Sequence, residues 1–240
     1  MRTVIWGANG AMGQLLQKAL GEEVCGLVSL DGENGVARNP RELPDVKPEA
    51  VIDFSHHSAV AEVTAYAVSQ GCPLVIGTTG HTEEEQAFIF AAAEKIPVFY
   101  SHNMSLGIAV LCRIAKEAAA CFPEADIEIL EIHHNRKADA PSATHHIPCR
   151  ALHRLRPEAL TALGRPGAGT GTKRERALAT PRMGNVVGVH EVHICTPSQT
   201  LTLRHEAANR GMFADGAVEA ARFLQGKAPG LYTMQDFLER

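Results

Sequence analysis

The stretch Val4-Ile5-Trp6-Gly7-Ala8-Asn9-Gly10-Ala11-Met12-Gly13 decides the fold class. An apolar run enters a glycine-rich turn, and a helical pattern from Met12 to Leu20 follows at once. Strand, turn and helix in that order open a dinucleotide-binding βαβ unit. Glycine suits such a turn because a side chain would block the close approach of a diphosphate to the helix N-terminus. The spacing is GxxGxxG rather than GxGxxG, so its place directly after a strand carries the reading.

Working outward, the same alternation continues to about Asn103. Strands are predicted at Thr3–Trp6, Val24–Ser29, Ala50–Phe54, Leu74–Ile76 and Val98–Ser101, with helices at Met12–Leu20, Ser58–Gln70 and Thr82–Lys95. Strands separated by helices imply a parallel sheet. Asp31–Pro48 is polar, rich in Pro, Gly and Asn, and reads as largely irregular. Beyond Asn103 the pattern changes to a helix at Gly107–Phe122 and strands at Asp126–His134, Val186–Cys195 and Thr200–His205. In the last strand Leu201, Leu203 and His205 alternate with Thr200, Thr202 and Arg204, as in a half-buried antiparallel strand. Thr196-Pro197-Ser198-Gln199 supplies a hairpin turn, and Gly164–Arg182 reads as a mobile connector. Phe213, Ala217, Ala220, Ala221 and Leu224 place one more helix before Pro229-Gly230, and a short terminal helix starts at Met234. The expectation is an α/β protein. Residues 1–103 and 210–240 form a Rossmann-like dinucleotide-binding domain, and 104–209 form an α+β domain with an open mixed sheet, for substrate binding and oligomerisation.

Composition narrows the function. At 240 residues, 45% hydrophobic and 21% charged, the chain resembles an ordinary globular enzyme. A formal charge of -4 argues against a nucleic-acid partner, since phosphate-binding faces leave a basic excess. No apolar run approaches the ~20 residues of a membrane span, and no export signal precedes the first strand. Six scattered cysteines without a CxxC pair suggest reduced thiols in a cytoplasm. Twelve histidines invite a metal, but His56-His57, His133-His134 and His145-His146 are adjacent pairs, unlike an HExxH helix. They read as hydrogen-bonding or catalytic groups, and no metal is expected.

Other segments carry chemistry. Asp31, just past the second strand, can accept hydrogen bonds from an adenosine ribose, and with no basic neighbour it favours NADH over NADPH. Gly77-Thr78-Thr79-Gly80 and Ser101-His102-Asn103-Met104-Ser105 follow later strands, at the ends where open α/β sheets bind ligands. The richest segment is Glu131-Ile132-His133-His134-Asn135-Arg136-Lys137-Ala138-Asp139-Ala140-Pro141-Ser142-Ala143-Thr144. Two imidazoles and an ammonium offer protons, and Pro141-Ser142 looks like a helix start that could take a carboxylate. Both histidines can reach one cleft only if the strand ends beside them, because successive strand side chains point oppositely.

Taken together, the residues resemble the 4-hydroxy-tetrahydrodipicolinate reductase (dihydrodipicolinate reductase) family. The carrying motifs are GANGAMG (7–13), VIDFS (51–55), GTTG (77–80), SHNMS (101–105), EIHHNRKADAPSAT (131–144), GNVVGVHEV (184–192), HEAANRGMFADGAVEAARFL (205–224) and PGLYTM (229–234), in the family's order. The resemblance implies NAD(P)H-dependent reduction of a cyclic unsaturated dicarboxylate, formed from the hydroxy-substrate by loss of water, to tetrahydrodipicolinate in lysine biosynthesis. It implies that His133 is the acid/base group and Lys137 the second proton donor. His134, Ser142, Ala143 and Thr144 would hold the small-molecule dicarboxylate. Cofactor contacts would come from Gly7, Ala8, Asn9, Gly10, Ala11, Met12, Asp31, Gly77, Thr78, Thr79, Ser101, His102, Asn103 and Met104, with Arg210 at a hinge near the cofactor. It also implies a homotetramer. The sequence departs from the family at Ala143, where Gly is usual, at Ala109, where Asn is frequent, and at Pro148, inside a normally long helix. A reductase of a related cyclic imine or dicarboxylate, or a non-catalytic dinucleotide-binding regulator, are the alternatives.

Overall fold

The computed structural model describes residues 1–33, 36–138, 160–163 and 175–239. The chain divides into two compact units, Met1–Ser105 with Gly211–Arg240, and Leu106–Arg210.

In the first unit the chain runs β1 (Thr3–Trp6), α1 (Ala11–Leu20), β2 (Val24–Val28), β3 (Ala50–Asp53), α2 (Val60–Gln70), β4 (Leu74–Ile76), α3 (Glu83–Ala93) and β5 (Pro97–Tyr100). All four residues of β1 and all four of β3, Thr3 and Asp53 included, are buried, as in strands covered on both faces. Trp6, Val51, Leu74, Ile76 and Ile89 form the centre of one core. At α3 the Thr82 hydroxyl accepts from the Glu85 N–H while the Glu85 carboxylate accepts from the Thr82 N–H, a reciprocal cap. Gly71, left-handed at φ 62°, ends α2.

The second unit contains α4 (Leu106–Cys121), β6 (Asp126–Ile132), β7 (Leu160–Leu163), β8 (Glu175–Ala179), β9 (Val189–Thr196) and β10 (Gln199–Glu206). The chain then returns to the first unit with α5 (Gly211–Phe223), β11 (Gly230–Tyr232) and α6 (Met234–Leu238).

The first sheet has the order β11-β5-β4-β3-β1-β2. All its pairings are parallel. The chain steps from β1 outward to β2 and then back across to β3. The order therefore reverses between β1 and β3, and that switch point is where such sheets bind ligands. α5 lies along α1. Its Gly216 has no Cβ to collide with the Met104 carbonyl.

The second sheet, β10-β9-β6-β8-β7, is mixed: β6 is antiparallel to β9 and parallel to β8. Along β6 the buried residues are Ile127, Ile129 and Glu131, a period of two that places a carboxylate in an apolar row.

The α/β class and the mixed second sheet agree with the sequence reading, but several elements differ. β8 forms inside the expected connector at Gly164–Arg182, whose residues 164–174 lie outside the described ones. β7 and β11 were not anticipated. The strand expected through His134 stops at Ile132, because His133 turns to meet Pro181 and Met183 through backbone hydrogen bonds. The strand expected from Val186 begins at Val189, after a turn in which Gly184 takes φ 48°. β10 is antiparallel as expected, but Leu201 is 38% exposed, so the apolar side of its first half is uncovered.

Candidate active site

At the switch point Gly7 adopts φ 80°, and a Cβ there would sit 2.7 Å from the Phe54 carbonyl carbon. Gly7 and Ala8 donate their N–H groups to the Val28 carbonyl, at 2.8 and 3.1 Å, and Gly10 donates to Gly7. The turn itself therefore holds β1 to β2 and does not present those amides to a ligand. What faces outward is the start of α1, whose N-cap Gly10 makes no side-chain cap, leaving first-turn N–H groups for an anion. Gly13 admits the turn: a Cβ there would lie 2.6 Å from the Ala8 carbonyl oxygen. Gly10, Ala11 and Met12 line a cleft of about 310 Å³ together with Phe54–His57 and Gly77–Thr79. Ala8 is buried. These features fit a dinucleotide: a cradle only glycine allows, an uncapped helix start and an adjoining cleft. A larger cleft of about 550 Å³ runs beside β2, away from the strand ends.

Asn9 donates from Nδ2 to Asp31 Oδ1 at 2.5 Å, and this bond is the main reason the Asp31 carboxyl sits below its ordinary range. The carboxylate is thus fixed and charged where a ribose would approach. The sequence reading saw no basic residue nearby, yet the Arg38 side chain lies against Gly32, with Nε 2.6 Å from where a Cβ would be. Six positions separate Gly32 from Arg38 in the sequence, and no local pattern reveals the contact.

The ends of β3 and β4 are locked together. Asp53 is 1% exposed and accepts from the Ser55 hydroxyl at 2.5 Å and the Ser55 N–H at 3.1 Å, while Ser55 N–H also reaches the Thr78 hydroxyl at 2.9 Å. Burial pushes the Asp53 carboxyl up to about 6, and the Ser55 and Thr78 hydroxyls partly oppose that. The native state therefore keeps a proton on Asp53 through a window, from the ordinary carboxyl value of 3.8 to about 6, where the unfolded chain has released it. Stability from this group falls as pH rises through that window, by at most about 3 kcal/mol. Urea unfolding across this range is expected to show Asp53→Asn gaining on the wild-type protein as pH rises. A constant difference between the two would show that Asp53 ionises normally.

After β5, the Ser101 hydroxyl donates to the Asn103 carbonyl at 2.8 Å, and the Asn103 side-chain oxygen accepts from Ser105 N–H at 2.7 Å. Met104 is 1% exposed, so its side chain belongs to the core. His102 is exposed and stacks edgewise on Tyr100. Thr78 is buried, Thr79 is exposed, and Arg210 is exposed immediately before α5.

In the second unit, His133 is buried beside the end of β6. Its Nδ1 lies 4.0 Å from Glu131 Oε2, and its ring meets that of His190 edge-on at 5.1 Å. Gly188 makes room for it: a Cβ there would be 3.2 Å from His133 Nε2. Arg182 donates from Nη2 to Glu131 Oε1 at 3.1 Å. The segment is held by backbone bonds from Asn135 to Gly184 and from Met183 to His133. Lys137 is half-buried, with its N–H bonded to the His134 carbonyl at 3.1 Å. Glu131, His133 and His190 each offer a ligand atom within 4.8 Å of the others. A cation could use that spacing, but Arg182 already supplies positive charge to Glu131. Ser142, Ala143, Thr144 and Pro148 lie outside the described residues, and Ala109 is half-buried in α4.

Comparison with known proteins follows both units. A model described as the N-terminus of dihydrodipicolinate reductase matches residues 1–104, and one for its C-terminus matches residues 107–238. The chain belongs to the dihydrodipicolinate reductase family. A 4-hydroxy-tetrahydrodipicolinate reductase of Caldanaerobacter subterraneus subsp. tengcongensis is 39% identical over 254 residues, covering 100% of this chain and 99% of that one. Another, from Alkaliphilus metalliredigens, is 39% identical over 242 residues, covering 99% of each. The solved structure of dipicolinate-bound dihydrodipicolinate reductase from Paenisporosarcina sp. TG-14 matches with TM-score 0.80 at 25% identity, covering 99% of each chain. In this family member, Asp53, Ser55, Arg182 and His190 entered the sites without having been assigned a role from sequence. An acid ending an apolar strand was the available signal for Asp53. Nothing local marked Arg182, which lay in the expected connector.

Proposed function

We propose that the chain is a 4-hydroxy-tetrahydrodipicolinate reductase, forming tetrahydrodipicolinate in the diaminopimelate route to lysine. The observation that carries this reading is the family match, which runs through both units at 39% identity to reductases of that name. When bound, NAD(P)H supplies the hydride. The turn at Gly7–Met12 and the cleft beside it orient the dinucleotide, and Asp31 accepts from the ribose, favouring NADH. Arg38, against Gly32, supports NADPH as the second acceptable cofactor.

The chain's own groups handle charge and protons. Lys137 pairs a substrate carboxylate and delivers a proton to the carbon left electron-rich by reduction. His133 acts as acid/base group, with Glu131 and His190 placed to hold its ring. His134 and the turn at Ser142–Thr144 hold the second carboxylate. For assembly, the reading is a homotetramer built through the second sheet, supported by the exposed Leu201 on its edge strand β10. For location it is the cytoplasm, supported by Cys25, Cys72, Cys121 and Cys195, which stand as thiols and not as disulfides. No helix among the described residues is long and apolar enough to cross a membrane.

The test is a coupled assay with dihydrodipicolinate synthase, following oxidation of NADH and NADPH. Substrate-dependent oxidation is expected with both, and faster with NADH. No oxidation with either would overturn the proposal.

A further inference from the structure

Glu131 ends an inward row of β6 in which the sheet otherwise uses isoleucine, at 127 and 129, and it is fully buried. A buried carboxylate is stable only when paired, and a paired one gains little over an aliphatic side chain of similar volume. Packing alone therefore does not explain an acid here. What distinguishes position 131 from 129 is its surroundings, with Arg182 on one side and His133 on the other.

Arg182 is tied down through both of its terminal nitrogens. Nη1 donates to the Thr180 and Pro181 carbonyls, each at 3.1 Å, and Nη2 donates to Glu131 Oε1 at 3.1 Å. Its backbone segment is bound to the same histidine. The His133 N–H donates to the Pro181 carbonyl, the Met183 N–H donates to the His133 carbonyl, and residues 133 and 182 pair as an isolated parallel bridge. With Oε1 held by the guanidinium, the planar carboxylate presents Oε2 to His133, whose Nδ1 lies 4.0 Å away, at ion-pair range. The ring is bounded elsewhere by His190, edge-on at 5.1 Å, and by Gly188, where a Cβ would lie 3.2 Å from Nε2. Arginine suits this duty because its fork is planar and rigid, whereas a lysine offers only a point charge and would not fix the carboxylate plane. An acid/base imidazole, in turn, works only when a third group holds it in line.

We infer that Arg182 is a positioning residue for the reaction, acting through Glu131 and the paired backbone to hold the His133 imidazole in the orientation in which it exchanges a proton with the substrate. Arg182 itself is assigned no contact with substrate or cofactor. The inference rests on the reductase reading for the reaction that His133 serves.

Arg182→Met alone would leave Glu131 buried without its cation and endanger the fold. The test therefore combines Arg182→Met with Glu131→Gln, which removes both charges and nearly keeps both volumes. In the coupled assay this double variant is expected to lose up to about a hundredfold in kcat, as a misplaced catalytic group does, with KM within about threefold of the wild-type value. Arg182→Lys, which keeps the charge, should melt near the wild-type protein and recover only part of kcat. Placed on the His133→Gln background, the double change should cost kcat less than about twofold, because the group it acts through has gone. In spectra of labelled histidine, the His133 side-chain signals, assigned from His133→Gln, should move in the double variant. Those of His193, held by Glu191 and Thr202, should stay in place. Wild-type kcat in the double variant, an equal loss on both backgrounds, or unmoved His133 signals would each overturn the inference while leaving the reductase reading intact. A raised KM at unchanged kcat would overturn it too, by making Arg182 a substrate-binding cation. Absence of turnover in the wild-type protein would overturn the reductase reading and this inference together.

Discussion

Replacing Lys137 by alanine is expected to lower kcat by about two to four orders of magnitude, the usual loss when a positioned proton donor is removed. The dissociation constant for NADH should stay within about threefold, because the residues that line the dinucleotide cleft belong to the other unit. Lys137→Arg separates the two duties given to this ammonium. A guanidinium can pair a carboxylate but does not release a proton near neutrality. The arginine variant should therefore recover KM more than kcat. His133→Gln should also lower kcat, by a similar factor. It should cost some stability as well, since the imidazole is buried against His190. Steady-state kinetics with the coupled assay, alongside NADH titrations, checks each outcome. Full activity in Lys137→Ala would remove it from the proton path.

Gly13→Ala gives the second large effect, and here two tendencies compete. Alanine improves helix propensity by about 1 kcal/mol over glycine. The new methyl, however, would overlap the backbone oxygens of Gly7 and Ala8, the latter at 2.6 Å. Neither atom is the end of a flexible side chain, and both are tied into the β1–α1 turn, where the Gly7 and Ala8 N–H groups bond to Val28. The helix must move instead, and overpacking of this kind costs about 1–3 kcal/mol. Sterics should outweigh propensity, with a net loss of stability. Displacement of the α1 start should weaken NADH binding by an order of magnitude or more, because that start is the anion site. Urea unfolding and NADH titration measure the two losses. An unchanged affinity would mean the α1 start does not hold the diphosphate.

The parts of the molecule legible in the sequence are those whose determinants are local. The glycines at 7, 10 and 13 reveal their turn because only glycine tolerates it. The capped start of α3 is visible as Thr82 three residues before Glu85. β8 was hidden because its sequence, ERALA, carries charges and lacks β-branched residues, and its strand character comes from pairing with β6, far away in the chain. β11 has three residues, too few for a periodic signal. The end of β6 at Ile132 depends on Pro181 and Met183, again distant. The same holds within the sites. Lys137 and the histidines stand out by type, whereas Arg182 acquires meaning only through a carboxylate 51 positions away.

One strand leaves a mark on how this protein can vary. Along β6 the inward row reads Ile127, Ile129, Glu131, so hydrophobic packing and the histidine site lie on a single ruled line. At Ile127 and Ile129 exchange among aliphatic residues of similar volume costs little. Two positions further on, the same geometry admits almost nothing, because an apolar residue at 131 would strand Arg182 beside a buried histidine. Tolerance to mutation should therefore collapse within a few ångströms along one continuous strand. Natural drift can rework the floor of this sheet but must stop where the isoleucines give way to the acid.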